Sequence, residues 1–300
     1  MSSVETGSLV TASQRRLWYY LFLSLRPKQW TKNTFIFAAL LFSRQLLEVP
    51  LLLRTLQAFA IFCSLSGAVY LLNDIADRER DRLHPRKCLR PLAAGLILPW
   101  QAGTAAAFLL VVSLTWAFWL GWQMGVISLA YAALVIVYSF YFKNVVIVDV
   151  FVVAFGFVLR VLAGAASIQT RVSAWLLVSI TLLALFLAFG KRRHELASLE
   201  SASEHRGILA YYTLPLLDQL IATVTSSTVV VYALYTSLGT ENHSLMLTIP
   251  LVLFGICRYL YLLYSHQGGG EPETLILQDK PLAATILLWV VSCFFLLYYG

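Results

Sequence analysis

Apolar runs of roughly twenty residues recur from one end of the chain to the other, and they restrict its fold more than any other feature. The hydrocarbon core of a bilayer is about 30 Å thick, which a helix of about 20 apolar residues spans. Segments of this kind lie near 33–47, 51–72, 100–120, 124–142, 145–166, 173–190, 210–238, 244–264 and 281–299. A chain in lipid must satisfy its backbone polar groups internally, so these segments are expected to be helices. Only 12% of the 300 residues are charged, against about a quarter in soluble domains. The expectation is an all-α integral membrane protein of nine transmembrane helices, a single domain over 1–300.

The polar N-terminus is followed by "LVTASQRRLWYYLFLSL" (9–25), which reads as an amphipathic helix lying on the membrane surface within a cytoplasmic tail over 1–30. No small-residue cleavage site follows the first apolar segment, so a removable signal peptide is not expected. Lysine and arginine set the orientation. With the N-terminus in the cytoplasm, seventeen bases fall on that side, and only Arg44, Arg54 and Arg171 fall on the other. The protein is therefore expected in the cell (plasma) membrane with its polar chemistry facing the cytoplasm. The net charge of +7 is explained by this topology and by anionic headgroups; no basic face or module suggests nucleic-acid binding. Cys63, Cys88, Cys257 and Cys293 show no metal-ligand spacing.

The most polar stretch, "YLLNDIADRERDRLHPRKCLRPLAAG" (70–95), contains four acids and six bases and is expected to be a cytoplasmic loop over 73–95. Asn73, Asp77 and Asp81 are spaced i, i+4, i+8, which on a continuous helix puts them on one face with Asp74 turned about 100° away. Hard oxygen ligands at a membrane face suit Mg²⁺, which takes one or two carboxylates and completes its shell with water and phosphate. Solvated salt bridges such as Asp77 with Arg80 are the plainer reading. Lys87 and Arg90 follow at once, the arrangement expected around a metal-bound diphosphate. Tyr70 lies one turn earlier, and "LRPKQWTKN" (25–33) adds Lys28 and Lys32, which serve equally as an interfacial anchor.

"YSFYFKNVVIVDVFVVAFGFVLRVLAGA" (138–165) carries Lys143 and Asp149 at a helix end, and Arg160 about 16 Å deeper than Asp149 at helical rise. An arginine near mid-membrane costs roughly 2.5–3.5 kcal/mol on insertion scales, so it must face a cavity, an anionic ligand or a partner on another helix. "GKRRHE" (190–195) adds Lys191, Arg192 and Arg193 where another helix leaves the membrane.

With "RPKQWTKN", the 70–95 stretch, "YSFYFKNVVIVD", "GKRRHEL" and "GGGEPETLILQDK" (268–280), the chain resembles the UbiA superfamily of polytopic membrane transferases, and within it the branch acting on polyprenyl phosphates. The resemblance covers about 250 residues. It implies a nine-helix UbiA-like bundle with a cytoplasm-facing active-site cavity. The implied reaction is Mg²⁺-dependent transfer of 5-phosphoribose from 5-phosphoribosyl 1-diphosphate to a polyprenyl (decaprenyl) phosphate. Asp74, Asp77 and Asp81 become the catalytic acids, with Asn73 and Asp77 on the metal. Lys28, Lys32, Tyr70, Lys87 and Arg90 are assigned to the donor, and Lys143, Arg160 and Lys191 to the lipid phosphate. Members that use prenyl diphosphates usually carry a second D-x-x-x-D motif, whereas Asp149 is followed by Val153. A prenyltransferase with an aromatic acceptor and a membrane transporter are the alternatives; no internal repeat supports the latter. A homo-oligomer is left open.

Overall fold

A helix crossing lipid keeps its backbone hydrogen bonds internal, and among the described residues the chain has helices and turns but no strand. The computed structural model describes residues 16–85, 87–197, 207–239, 243–265, 275 and 278–299. Residues 1–15 of the expected tail, Arg86, Arg206 and most of the 268–280 stretch lie outside the described residues.

In chain order the helices are α1 (16–24), a 3-10 helix (Pro27–Ile36), α2 (Phe37–Phe42), α3 (Val49–Ala76), α4 (Arg78–Leu83), α5 (Pro99–Leu120) and α6 (Trp122–Phe140). They continue with α7 (Val148–Ser167), α8 (Ala174–Ala197), α9 (Leu214–Leu238), α10 (Ile249–Tyr264) and α11 (Lys280–Tyr299). Proline stands in the first turn of α3, α5, α9 and α10, where a missing N–H costs nothing. The Thr213 hydroxyl caps α9 by accepting from the Leu216 N–H at 3.3 Å. α1 exposes Trp18, Tyr19 and Phe22.

Eight of these helices are long and apolar enough to cross a membrane: α3 and α5 to α11, with α10 extended by the 3-10 turn His243–Thr248. The count differs from nine at the first segment, expected as an ordinary helix over 33–47. It is instead the 3-10 helix followed by α2. The pair still runs the length of the bundle. Arg26 meets Asp74 at one end, Asn33 meets Cys63 and Ser66 midway, and the Leu46 N–H donates to the Tyr298 hydroxyl at the other. Ten residues at the 3-10 rise and six at the α rise cover about 29 Å, close to the hydrocarbon thickness.

The packing that holds this segment is specific. A Cβ added at Gly164 of α7 would lie 2.0 Å from the Ile36 carbonyl oxygen. Gly164→Ala is therefore expected to push the 3-10 helix off α7 and destabilise the protein by about 1–3 kcal/mol, as overpacking does. A melting temperature equal to wild type would show that the contact is looser than drawn.

Neighbouring long helices pack against each other, and α7 also meets α3, α2 and the 3-10 helix. The two largest apolar clusters among the described residues lie among α3, α5, α6 and α7 around Phe62 and Met124, and among α7 to α11 around Phe186 and Phe189. α7 belongs to both. Because the long helices alternate in direction, the segments holding Asn73–Arg90, Lys143 and Lys191–Arg193 all emerge at one end. Arg44, Arg54 and Arg171 line the other, where Arg54 donates to the Leu120 carbonyl at 3.3 Å and Arg44 and Arg171 rim one cavity.

Candidate active site

At 1.5 Å per residue the 28-residue α3 is about 42 Å long, so its last turns stand clear of a 30 Å hydrocarbon core. Those turns carry Tyr70, Asn73 and Asp74, and Asp77 is the C-cap. At Asp77 the backbone leaves the α region (φ −95°, ψ 6°) and restarts as α4. The expected single face through Asp81 is broken by this turn. Asp81 swings inward and is 2% exposed, and Asp74 is 3% exposed.

Arginines close over these two acids. Arg90 Nη1 donates to Asp81 Oδ2 at 2.5 Å and to Asp74 Oδ1 at 3.2 Å. Arg26 Nη2 also donates to Asp74 Oδ1, and its guanidinium lies 4.7 Å from the centroid of the Tyr70 ring. Arg26 holds a left-handed conformation (φ 54°, ψ 64°) at the start of the 3-10 helix, a strained geometry that clusters at functional sites.

Asp77 is placed differently. Its side chain is 33% exposed, and its carboxylate accepts from Lys143 Nζ at 3.3 Å. Lys143 sits on a 3-10 turn, Phe142–Asn144, that links α6 to α7. Lys28 is exposed and Lys32 half-buried, with Lys32 Nζ donating to Gln29 Oε1. The Lys87 N–H donates to His84 Nδ1 at 3.3 Å. Lys191 is half-buried on α8.

Arg160 is apart from this group. It is 7% exposed and donates to Asn33 Oδ1 at 2.7 Å, Tyr131 OH at 2.7 Å and the Gly156 carbonyl at 2.9 Å. All three acceptors are neutral. No carboxylate pairs with it among the described residues.

Asp149, the sequence's candidate remnant of a second acidic motif, is fully buried. It accepts from Arg192 Nε at 2.8 Å and from the Tyr212 hydroxyl at 2.9 Å, so it does not face the acids of α3 and α4. Burial, together with the Asp149 carboxylate, pushes the Tyr212 phenol up to about 12, which keeps it a donor at neutral pH. Sequence reasoning passed over Asn33, Tyr131, Arg192 and Tyr212. Arg192 was visible only as one base of a topogenic run, and the two tyrosines and the asparagine carried no spacing signal.

Among the described residues no group of three or more His, Cys, Asp or Glu side chains could cage a metal. Of the Asn73, Asp74, Asp77 and Asp81 set, the donors that stay accessible are the Asn73 amide oxygen and the Asp77 carboxylate, one helical turn apart. Two hard oxygens fit Mg²⁺ that shares its shell with phosphate and water, and do not fit zinc.

Residues 33–268 match the model of the UbiA prenyltransferase family. Among similar proteins, the decaprenyl-phosphate phosphoribosyltransferase of Mycolicibacterium smegmatis is 30% identical over 285 residues, covering 90% of each chain. That of Corynebacterium glutamicum is 33% identical, over 89% of this chain and 83% of the other. Among solved structures, a UbiA homologue from Archaeoglobus fulgidus bound to GPP and Mg²⁺ superposes with a TM-score of 0.72 at 19% identity, covering 93% of this chain and 99% of that one. A family model spanning most of the chain, full-length relatives and the same helical fold agree: this multi-pass membrane protein is a transferase of the UbiA prenyltransferase family.

Proposed function

We propose that the protein transfers the 5-phosphoribosyl group of 5-phosphoribosyl 1-diphosphate to a polyprenyl phosphate such as decaprenyl phosphate, releasing diphosphate. The observation that carries this reading is the balance of charge at the site. Asp74 and Asp81 are taken by arginines and Asp149 by Arg192; of these four aspartates Asp77, paired with Lys143, is the one whose carboxylate stays accessible. Such a site suits one metal-assisted diphosphate and one phosphate monoester better than two metal-bound diphosphates. The full-length similarity to the phosphoribosyltransferases named above supports the same substrates.

In this reading Asn73 and Asp77 hold Mg²⁺, which when bound neutralises charge building on the diphosphate leaving group. Lys28, Lys32 and Lys87 bind the donor's phosphates by charge-assisted hydrogen bonds, with Tyr70 and Arg90 beside them. Asp74 and Asp81 act through Arg26 and Arg90, holding both guanidiniums toward the donor. Lys143 and Lys191 orient the lipid phosphate at the membrane face, and Arg160 supplies a positive field deeper in the bundle. The acceptor oxygen is already anionic, so no general base is required. The bond from the ribose anomeric carbon to diphosphate breaks as the bond to the lipid phosphate oxygen forms, with inversion at that carbon. Positioning and electrostatic stabilisation supply the rate. The end rich in bases faces the cytoplasm, in line with the seventeen-to-three distribution of bases.

The test uses purified protein in detergent with radiolabelled 5-phosphoribosyl 1-diphosphate and polyprenyl phosphates of several lengths. Label is expected to move into the lipid fraction with Mg²⁺ and not with EDTA. Full activity in EDTA would remove the metal from the mechanism. Turnover of a prenyl diphosphate with an aromatic acceptor, and none of the phosphosugar, would replace this function with ordinary prenyl transfer.

A further inference from the structure

The link between α6 and α7 holds a backbone conformation that its own sequence does not favour. Ile147 has φ 69° and ψ −46°, and for a β-branched residue a positive φ is a genuine outlier that the surroundings must enforce. The enforcing group is Tyr212, 65 residues further on. Its hydroxyl oxygen accepts the Ile147 N–H at 2.7 Å, and its proton goes to Asp149 Oδ1 at 2.9 Å. The other oxygen of Asp149 is held by Arg192 of α8, which also donates to Glu195. One phenol thus ties a strained amide to a buried carboxylate that is itself anchored to a neighbouring helix.

The strained residue lies four positions after Lys143. Along this link the Val145 N–H donates to the Phe142 carbonyl at 3.1 Å, and the Asp149 N–H donates to the Val145 carbonyl at 3.0 Å. Hydrogen bonds thus lead from Tyr212 through Asp149 and Val145 to Phe142, the residue next to the lysine. We infer that Tyr212 is a positioning residue: through the Ile147 amide and the Asp149 carboxylate it holds the α6–α7 link in the conformation that sets Lys143 against Asp77. The consequence for catalysis rests on the role proposed above for Lys143; the positioning itself does not.

Tyr212→Phe removes the hydroxyl and leaves the ring in its buried place. In ligand-free protein, acylation of Lys143 by an amine-reactive reagent, followed by peptide mass spectrometry with Lys28 and Lys280 as internal standards, is expected to run about five- to tenfold faster, the effect of one lost hydrogen bond. The KM for the polyprenyl phosphate is expected to rise by a similar factor, with the KM for the phosphoribosyl donor unchanged. Glycine takes positive φ without a Cβ penalty, so Ile147→Gly added to Tyr212→Phe is expected to return both readouts toward wild type. A purely structural tyrosine predicts a lower melting temperature and no such rescue. Unchanged Lys143 acylation in Tyr212→Phe overturns the inference. Faster acylation with unaltered lipid kinetics upholds the positioning and removes Lys143 from lipid binding. If Tyr212→Phe alone does not fold, the double variant carries the comparison: Lys143 acylation there at the wild-type rate supports the inference, and a faster rate overturns it.

Discussion

Replacing Asp77 by alanine is expected to cut phosphoribosyl transfer roughly a thousandfold, the equivalent of about 4 kcal/mol of lost transition-state stabilisation. In the proposed mechanism Asp77, the accessible aspartate of the motif, would hold Mg²⁺ in exchange for its contact with Lys143. Stability should hardly change. The side chain is one-third exposed and its partner Lys143 is 24% exposed, and ion pairs of that kind contribute about 0–1 kcal/mol. The helix break at Asp77 is made by the backbone, with no side-chain cap. Asp81→Ala is the contrasting case: it strips a buried carboxylate from Arg90 and should lower the melting temperature along with the rate. Initial rates at saturating Mg²⁺, read beside thermal melts and Mn²⁺ binding in the presence of diphosphate, separate the two variants. An Asp77→Ala protein within tenfold of wild type would sink the metal assignment.

Arg160→Met is expected to lower the melting temperature while keeping the fold, and to reduce use of the lipid acceptor by about ten- to a hundredfold. The stability side is a balance of opposing costs. Removing the guanidinium takes donors from Asn33, Tyr131 and Gly156, and each hydrogen bond to a charged group is worth about 1.5–3 kcal/mol net. It also removes a charge whose burial in a membrane costs about 2.5–3.5 kcal/mol, while methionine refills most of the space. The lost hydrogen bonds outweigh the charge removed, so some fall in melting temperature accompanies the loss of lipid use. Had Arg160 been half of a buried ion pair, truncation would have stranded a carboxylate at about 3–5 kcal/mol, but its partners are neutral. Within the protein the three neutral acceptors and the rings of Tyr131 and Phe157 stabilise the cation, and the further role proposed for its charge is to attract the lipid phosphate. A ten- to hundredfold loss corresponds to about 1.4–2.7 kcal/mol of that charge's attraction for the phosphate. Saturation curves for polyprenyl phosphate and for the donor, with melting temperatures, decide it. A large fall in melting temperature with lipid saturation unaltered would make Arg160 structural.

Spacing along the chain also led to one wrong geometric expectation. Asn73, Asp77 and Asp81 share a face only on an unbroken helix, and the break after Asp77 sends Asp81 to the same arginine as Asp74. The first apolar segment, expected as one helix over 33–47, is a 3-10 helix to Ile36 followed by α2, with Ile36 packed closely on Gly164.

What the sequence by itself determined is the membrane architecture and the end of the bundle at which the chemistry gathers. Length and hydropathy act locally, since twenty apolar residues span the lipid whatever lies elsewhere in the chain. Each crossing reverses the side, so the order of crossings brings residues 26–32, 73–90, 143 and 191–193 to one end. Tertiary structure alone decided which charges pair. Asp149 finds Arg192 across 43 residues, Arg160 finds Asn33 across 127, and Tyr212 reaches back 65 to Ile147. Those partners depend on how each helix is rotated about its axis and on which neighbour it meets, and a one-dimensional spacing carries neither.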